Sequence, residues 1–180
     1  MSAIHGLVLK MSNWDKDIRY MASSDICHFL QTNEELEEGQ SRKIIAAGLK
    51  QLSDSDKQVK SQAIKLLALM SNRVEGVQVE EICVKLSQYV IEEGGEEDLR
   101  DIYSLALKQF IMSVSDAFGE MVVQRVTDKM MIGISSSNQS IIRESLDIFS
   151  LVLQNFGRYL PSAKHKPMLK KISEVSESPN

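Results

Sequence analysis

Four apolar residues, Ile18, Val59, Leu99 and Ile141, are spaced 41, 40 and 42 residues apart, and the sequence around them recurs in phase. Three positions before them stand Asp15, Asp56, Glu96 and Asn138. Asp and Asn accept hydrogen bonds from the free amides that open a helix, whereas Glu caps less well. Four positions after the anchors come Ala22, Ala63, Tyr103 and Ser145; eight after, Ile26, Leu67, Leu107 and Phe149; eleven after, Phe29, Met70, Phe110 and Val152. Offsets of 0, 4, 8 and 11 fall on one stripe of a helix with 3.6 residues per turn, so each anchor opens a capped, amphipathic helix. One position after the anchors stand Arg19, Lys60 and Arg100, a basic series that Ile142 breaks.

A shorter apolar helix precedes each of these. It carries Ile4, Leu7, Val8 and Met11 in the first copy; Ile44, Ile45, Leu49 and Leu52 in the second; Val79, Ile82, Leu86 and Val90 in the third; and Met121, Val122, Val126 and Met130 in the fourth. A helix pair that recurs every forty residues or so cannot bury its own apolar face and must stack on its neighbours, as HEAT-type repeats do. The expected fold is therefore all-α, an α-solenoid of HEAT-like repeats with about four helix pairs and one unpaired C-terminal helix. It forms a single domain over 1–180, with repeats at about 2–32, 41–74, 79–114 and 117–157 and an incomplete fifth at 161–180. In that last segment a helix from Lys166 to Val175 presents Met168, Leu169, Ile172 and Val175, and a fifth anchor falls due near position 183, beyond Asn180. A globular bundle requires no such register.

Composition agrees with helices and narrows the partners. The three prolines, Pro161, Pro167 and Pro179, all lie in the last twenty residues and leave the earlier helices uninterrupted. A net charge of -4 provides no field for a polyanion, so nucleic acid is not expected as a ligand. No apolar run reaches the roughly 18 residues of a membrane span, and the opening "MSAIHGLVLKM" lacks the basic n-region of an export signal. Cys27 and Cys83 sit in apolar helical contexts and read as buried, reduced thiols, which places the chain in the cytoplasm or nucleus.

Catalytic and cofactor motifs are absent. There is no GxxxxGK, GxGxxG or GxSxG, and His5, His28 and His165 are too scattered for a metal set, so no enzyme, no cofactor and no metal are expected. Cys27 and His28 adjoin, but successive helical residues diverge by about 100° and do not face each other. Arg19, Lys60 and Arg100 are expected to pair with acids of their own or the adjacent repeat turn, such as Asp17, Asp56 or Asp98.

Positions near offsets 2, 6, 9 and 13 point away from the stripe. Second helices usually line the concave side of such stacks, which makes Tyr20, Lys65, Asp101, Lys108, Arg143 and Asp147 the candidate partner-binding set. Trp14, the only tryptophan, is either an apolar lid on the first repeat or an interface anchor. The acidic "EELEE" and "EEGGEED" segments read as solubilising loops, and "KHKPMLKK" as the polar face of the last helix.

The stretch "KMSNWDKDIRYMASSDICHFL" at 10–30 resembles the opening of the cullin-associated and neddylation-dissociated (CAND) proteins, also called TBP-interacting proteins. Lys10, Met11, Asp15, Lys16, Asp17, Arg19, Met21, Ala22 and Asp25 carry the likeness; "LRDIYSLALKQFI" at 99–111 and "ESLDIFSLVL" at 144–153 are similar to the third and fourth repeats of that family. The resemblance implies a non-catalytic regulator of cullin-RING ubiquitin ligases that binds an unneddylated cullin and its RING subunit near the lysine that receives NEDD8. It covers only about the first sixth of the family's solenoid, which implies a part of a receptor-exchange factor, with a second chain supplying the missing repeats as one arrangement. Period and stripe alone equally allow a generic HEAT scaffold with another partner.

Overall fold

In a computed structural model, residues 3–32, 35–37 and 39–177 are described. Among them the chain forms nine α-helices and no strand: α1 (Ala3–Lys10), α2 (Lys16–Gln31), α3 (Gln40–Gln51), α4 (Lys57–Met70), α5 (Gly76–Val90), α6 (Glu97–Ser113), α7 (Gly119–Gly133), α8 (Gln139–Phe156) and α9 (Ser162–Glu177). Short 3₁₀ turns at Asp116–Phe118 and Gly157–Tyr159 precede and follow the α7–α8 pair. The chain divides into two compact units, Met1–Gln78 and Val79–Asn180.

The expected caps are in place. Asp15 accepts from the Asp17 amide, Asp56 from those of Gln58 and Val59, and Asn138 from those of Ser140 and Ile141. Glu96, the weak member of the series, starts α6 without any side-chain cap bond. The stripe is buried at every copy's offset 4 and offset 8; at offset 11 only Phe29 is partly exposed. Of the anchors themselves, Val59 and Ile141 are buried, while Ile18 and Leu99 are half-buried.

In the first unit, α1 packs on α2 and α3 on α4, while α2 also packs on α4 and α1 on α3, the alternating contact of a HEAT-like array. Buried polar bonds fix the register. Ser23 Oγ donates to Gln51 Oε1 at 2.7 Å, and Gln51 Nε2 donates to the Met11 carbonyl at 2.9 Å, so the ends of α1 and α3 are tied to α2. Arg19 forks onto Asp54 at 2.7 and 2.8 Å and also donates to the carbonyls of Asn13 and Trp14.

In the second unit, α7 packs on α8 and α6 on α8. The Tyr89 and Tyr103 rings stack at 4.1 Å and join α5 to α6. Gly133 marks the closest approach of α7 and α8: a Cβ there would overlap Ser145 Oγ and come within 2.9 Å of Ile91 Cγ2. In the turn before α6, Gly94 takes φ 78°, a left-handed conformation that glycine adopts without strain.

Three expectations need correction. Lys60 forms no ion pair among the described residues, and Asp56 is met by Lys16 instead. Arg100 does not pair with Asp98: it is only 3% exposed and donates to the carbonyls of Val90, Glu92 and Gly95. The expanded turn between α5 and α6 folds back over the start of α6, so its carbonyls reach the guanidinium first. The last helix begins at Ser162, four residues earlier than Lys166, because Pro161 and not Pro167 precedes its first turn; the Lys164 amide donates to the Pro161 carbonyl at 2.9 Å.

Candidate interaction surface

Helix α6 places Lys108 beside Glu144 on α8, at 2.9 Å, and Asp147 at 3.5 Å. Arg143 approaches the other oxygen of Glu144 at 3.4 Å, and Ser104 Oγ donates a short hydrogen bond to Glu144. Three of the sequence-selected residues, Lys108, Arg143 and Asp147, therefore meet around one buried carboxylate that the sequence reading missed. Burial pushes the Glu144 carboxyl up, but the bonds from Ser104 and Lys108 outweigh it and hold the group below the usual carboxylate range. The four charged side chains sum to zero, so the cluster fastens α6 to α8 and leaves the outer edges of Arg143 and Asp147 in water.

The other selected residues stay apart from this cluster. Asp101 is exposed on α6, two turns before Lys108, and forms no ion pair among the described residues. Tyr20 on α2 and Lys65 on α4 are exposed in the first unit. Trp14 is 89% exposed in the turn before α2. It covers nothing, which removes the lid reading.

The outward offsets hold two residues that a search for polar contacts passed over. At offset 6 the four second helices carry Ser24, Lys65, Leu105 and Asp147, and at offset 13 the chain carries Gln31, Asn72, Met112 and Gln154. Only the third copy is apolar at both, and Leu105 and Met112 are 44% and 52% exposed.

A polar recess of about 420 Å3 in the first unit is lined by Glu37, Arg42, Arg73 and Glu75. An apolar groove of about 220 Å3 lies between α8 and α9, walled by Phe149, Leu153, Leu160, Met168 and Ile172. On its rim Leu169 is 68% exposed.

Cys27 and Cys83 are free and buried, and burial pushes their thiols up to about 11 and about 12, so neither is a thiolate near neutral pH. Among the described residues no cluster of His, Cys, Asp and Glu can hold a metal ion, and no helix is long and apolar enough to cross a membrane.

No family model matches the chain. Curated relatives do. It is 35% identical over 161 residues to cullin-associated NEDD8-dissociated protein 1 of Drosophila melanogaster, an alignment that covers 87% of this chain and 13% of the relative. It is 31% identical over 169 residues to the protein of the same name in Dictyostelium discoideum, with 89% of this chain and 14% of the relative covered. Cullin-associated NEDD8-dissociated protein 2 of Mus musculus is 30% identical over 161 residues, covering 86% and 13%. The chain thus spans about one-seventh of the length of these relatives. An all-helical array whose caps and stripe recur in phase, aligned over nearly all of its length with such proteins, is a homologue of the cullin-associated NEDD8-dissociated family over a small portion of that family's length.

Proposed function

We propose that the chain is a non-catalytic, cullin-binding regulator of cullin-RING ubiquitin ligases, acting in the cytoplasm or nucleus. It corresponds to the N-terminal part of a receptor-exchange factor. Its partners are an unneddylated cullin and the RING subunit of that cullin. The observation that carries the reading is the alignment over 87% of this chain with a protein named for cullin association and NEDD8 dissociation. Outward residues of the second helices supply the contacts, Tyr20 and Lys65 with Trp14 in the first unit and Asp101, Lys108, Arg143 and Asp147 in the second. Pre-formed helices lose little conformational freedom on binding, and this favours recognition of a folded partner.

The mechanism is steric. A helical surface seated over the acceptor lysine of the cullin hinders NEDD8 transfer, and an attached NEDD8 hinders binding in turn. Pull-down with unmodified and NEDD8-modified cullin bound to its RING subunit tests this directly. Recovery of the unmodified form alone is expected, and equal recovery of both forms contradicts the exclusion.

The apolar groove between α8 and α9 supports a second element of the reading, a further chain that lays an amphipathic helix there and supplies additional repeats. Leu169→Asp and Met168→Asp are expected to abolish co-purification of such a chain. A generic HEAT scaffold with a non-cullin partner is the competing reading, and co-purification that yields other proteins and no cullin would favour it.

A further inference from the structure

The third repeat departs from the other three at the outward offsets 6 and 13. Leu105 and Met112 lie seven residues apart on α6, hence on one face and about 10.5 Å along the axis from each other. At the matching positions α2, α4 and α8, with the residues just after them, carry Ser24 and Gln31, Lys65 and Asn72, and Asp147 and Gln154. Solubility is thus maintained at these offsets in three copies and given up in one.

The same face of α6 carries exposed Asp98 and Asp101 toward its start. Glu97 and Asp98 complement the positive end of the helix dipole in its first turn, but Asp101 lies further in, where that effect has faded. Neither Asp98 nor Asp101 forms an ion pair among the described residues. Next to this stripe the Lys108–Glu144–Asp147–Arg143 cluster is already neutralised within itself and fixes α6 against α8. The face therefore lies on a helix tied to α8, is apolar at two points seven residues apart, and is acidic at one end.

We infer that the Leu105–Met112 face of α6 is a docking surface for a basic amphipathic helix of the partner, with apolar anchors at i and i+7 on Leu105 and Met112 and a Lys or Arg on Asp101. Two anchors at that separation match the spacing at which an amphipathic helix repeats its apolar face. Met112 offers an adaptable contact, and an unpaired carboxylate at the rim favours a cation over an anion. The inference rests on the cullin-binding reading, in that it assigns which face of the chain holds that partner.

The test is titration of the whole chain with an unmodified cullin bound to its RING subunit. Leu105→Glu/Met112→Glu is expected to weaken binding about 30-fold or more, as loss of central anchors does. Asp101→Lys is expected to weaken it a few-fold and to reduce the salt dependence, and Gln31→Glu or Gln154→Glu at the equivalent positions is expected to change nothing. Leu105→Ser/Met112→Ser provides the same comparison without added charge, and the far-UV circular dichroism of each variant establishes that it is folded. Wild-type affinity in folded Leu105→Glu/Met112→Glu overturns the docking face and leaves the cullin reading intact. No binding by the wild-type chain overturns the cullin reading, and the inference with it.

Discussion

The α2–α4 junction of the first unit and the α6–α8 junction of the second solve one packing problem with different chemistry. In the first unit the fastening sits at the helix starts, where Arg19 grips Asp54 in the preceding turn and Lys16 reaches Asp56 at 3.4 Å. In the second it sits in mid-helix, where Glu144 collects Ser104, Lys108 and Arg143. At α6 the cap-end position is occupied by Arg100, which is turned onto backbone carbonyls. A repeat therefore fixes where helices meet without fixing which groups hold them, and the solvent-facing residues follow the local solution. A mid-helix clamp holds the outer face of α6 in place beside Leu105 and Met112, whereas a cap-end clamp leaves the middle of α2 and α4 unconstrained by charge.

The largest test of this contrast compares a buried glycine at a helix contact in each unit. Gly133→Val forces a side chain into the space of Ser145 and Ile91, and a loss of about 2–3 kcal/mol is expected in urea unfolding. Gly48→Ala meets only the flexible ends of Leu66 and Leu67, at 3.1 and 3.3 Å, and is expected to cost less than about 1 kcal/mol. Equal losses would mean that the close approach of α7 and α8 is not a special constraint.

The clamps come next. Arg19→Met strands Asp54 and releases the carbonyls of Asn13 and Trp14; solvent still reaches the pair, so about 1–2 kcal/mol is expected from thermal unfolding, below the cost of breaking a fully buried pair. Lys108→Met leaves Glu144 with Ser104 and Arg143, and about 1 kcal/mol is expected. A larger loss from Lys108→Met than from Arg19→Met would reverse the ranking of the two junctions.

Acid sharpens the same comparison. Burial pushes the Asp54 carboxyl up, but Arg19 and the Asp56 amide more than offset this, so both Asp54 and Glu144 have carboxyls held below their ordinary range. A carboxylate whose folded pKa is depressed contributes stability that is complete above its unfolded pKa, about 4, and is lost as pH falls through the folded value. The unfolding temperature is expected to drop as pH falls below about 4, and Glu144→Gln is expected to flatten that slope. An unchanged slope in Glu144→Gln would remove the clamp from the account.

The smallest effects belong to the caps. Asn138→Ala is expected to lose about 1 kcal/mol, and Glu96→Asp, which supplies the shorter side chain that α6 lacks, to gain about 0.5 kcal/mol in the same measurement.

What the sequence disclosed and what it hid divide along a physical line. Caps, stripe and period were legible because they are set by residues three to eleven positions apart on one helix. Arg100 and Arg19 look alike at the same offset, yet one is held by a turn of its own repeat and the other by Asp54, thirty-five residues away. Glu144 was missed for the same reason, since Ser104 and Lys108 lie 40 and 36 residues upstream. Leu105 and Met112 lie at outward offsets where the other three copies are polar, so the repeat pattern itself does not mark them. The start of α9 was misplaced because two nearby prolines offer two N-termini; the helix starts after Pro161 and carries Pro167 inside it.

The most direct measurement of the central claim is the rate of NEDD8 transfer onto a cullin bound to its RING subunit, taken at rising concentrations of this chain. The account predicts a rate that falls with concentration and recovers with Leu105→Glu/Met112→Glu. A rate that stays constant while the wild-type chain is bound to the cullin would contradict it.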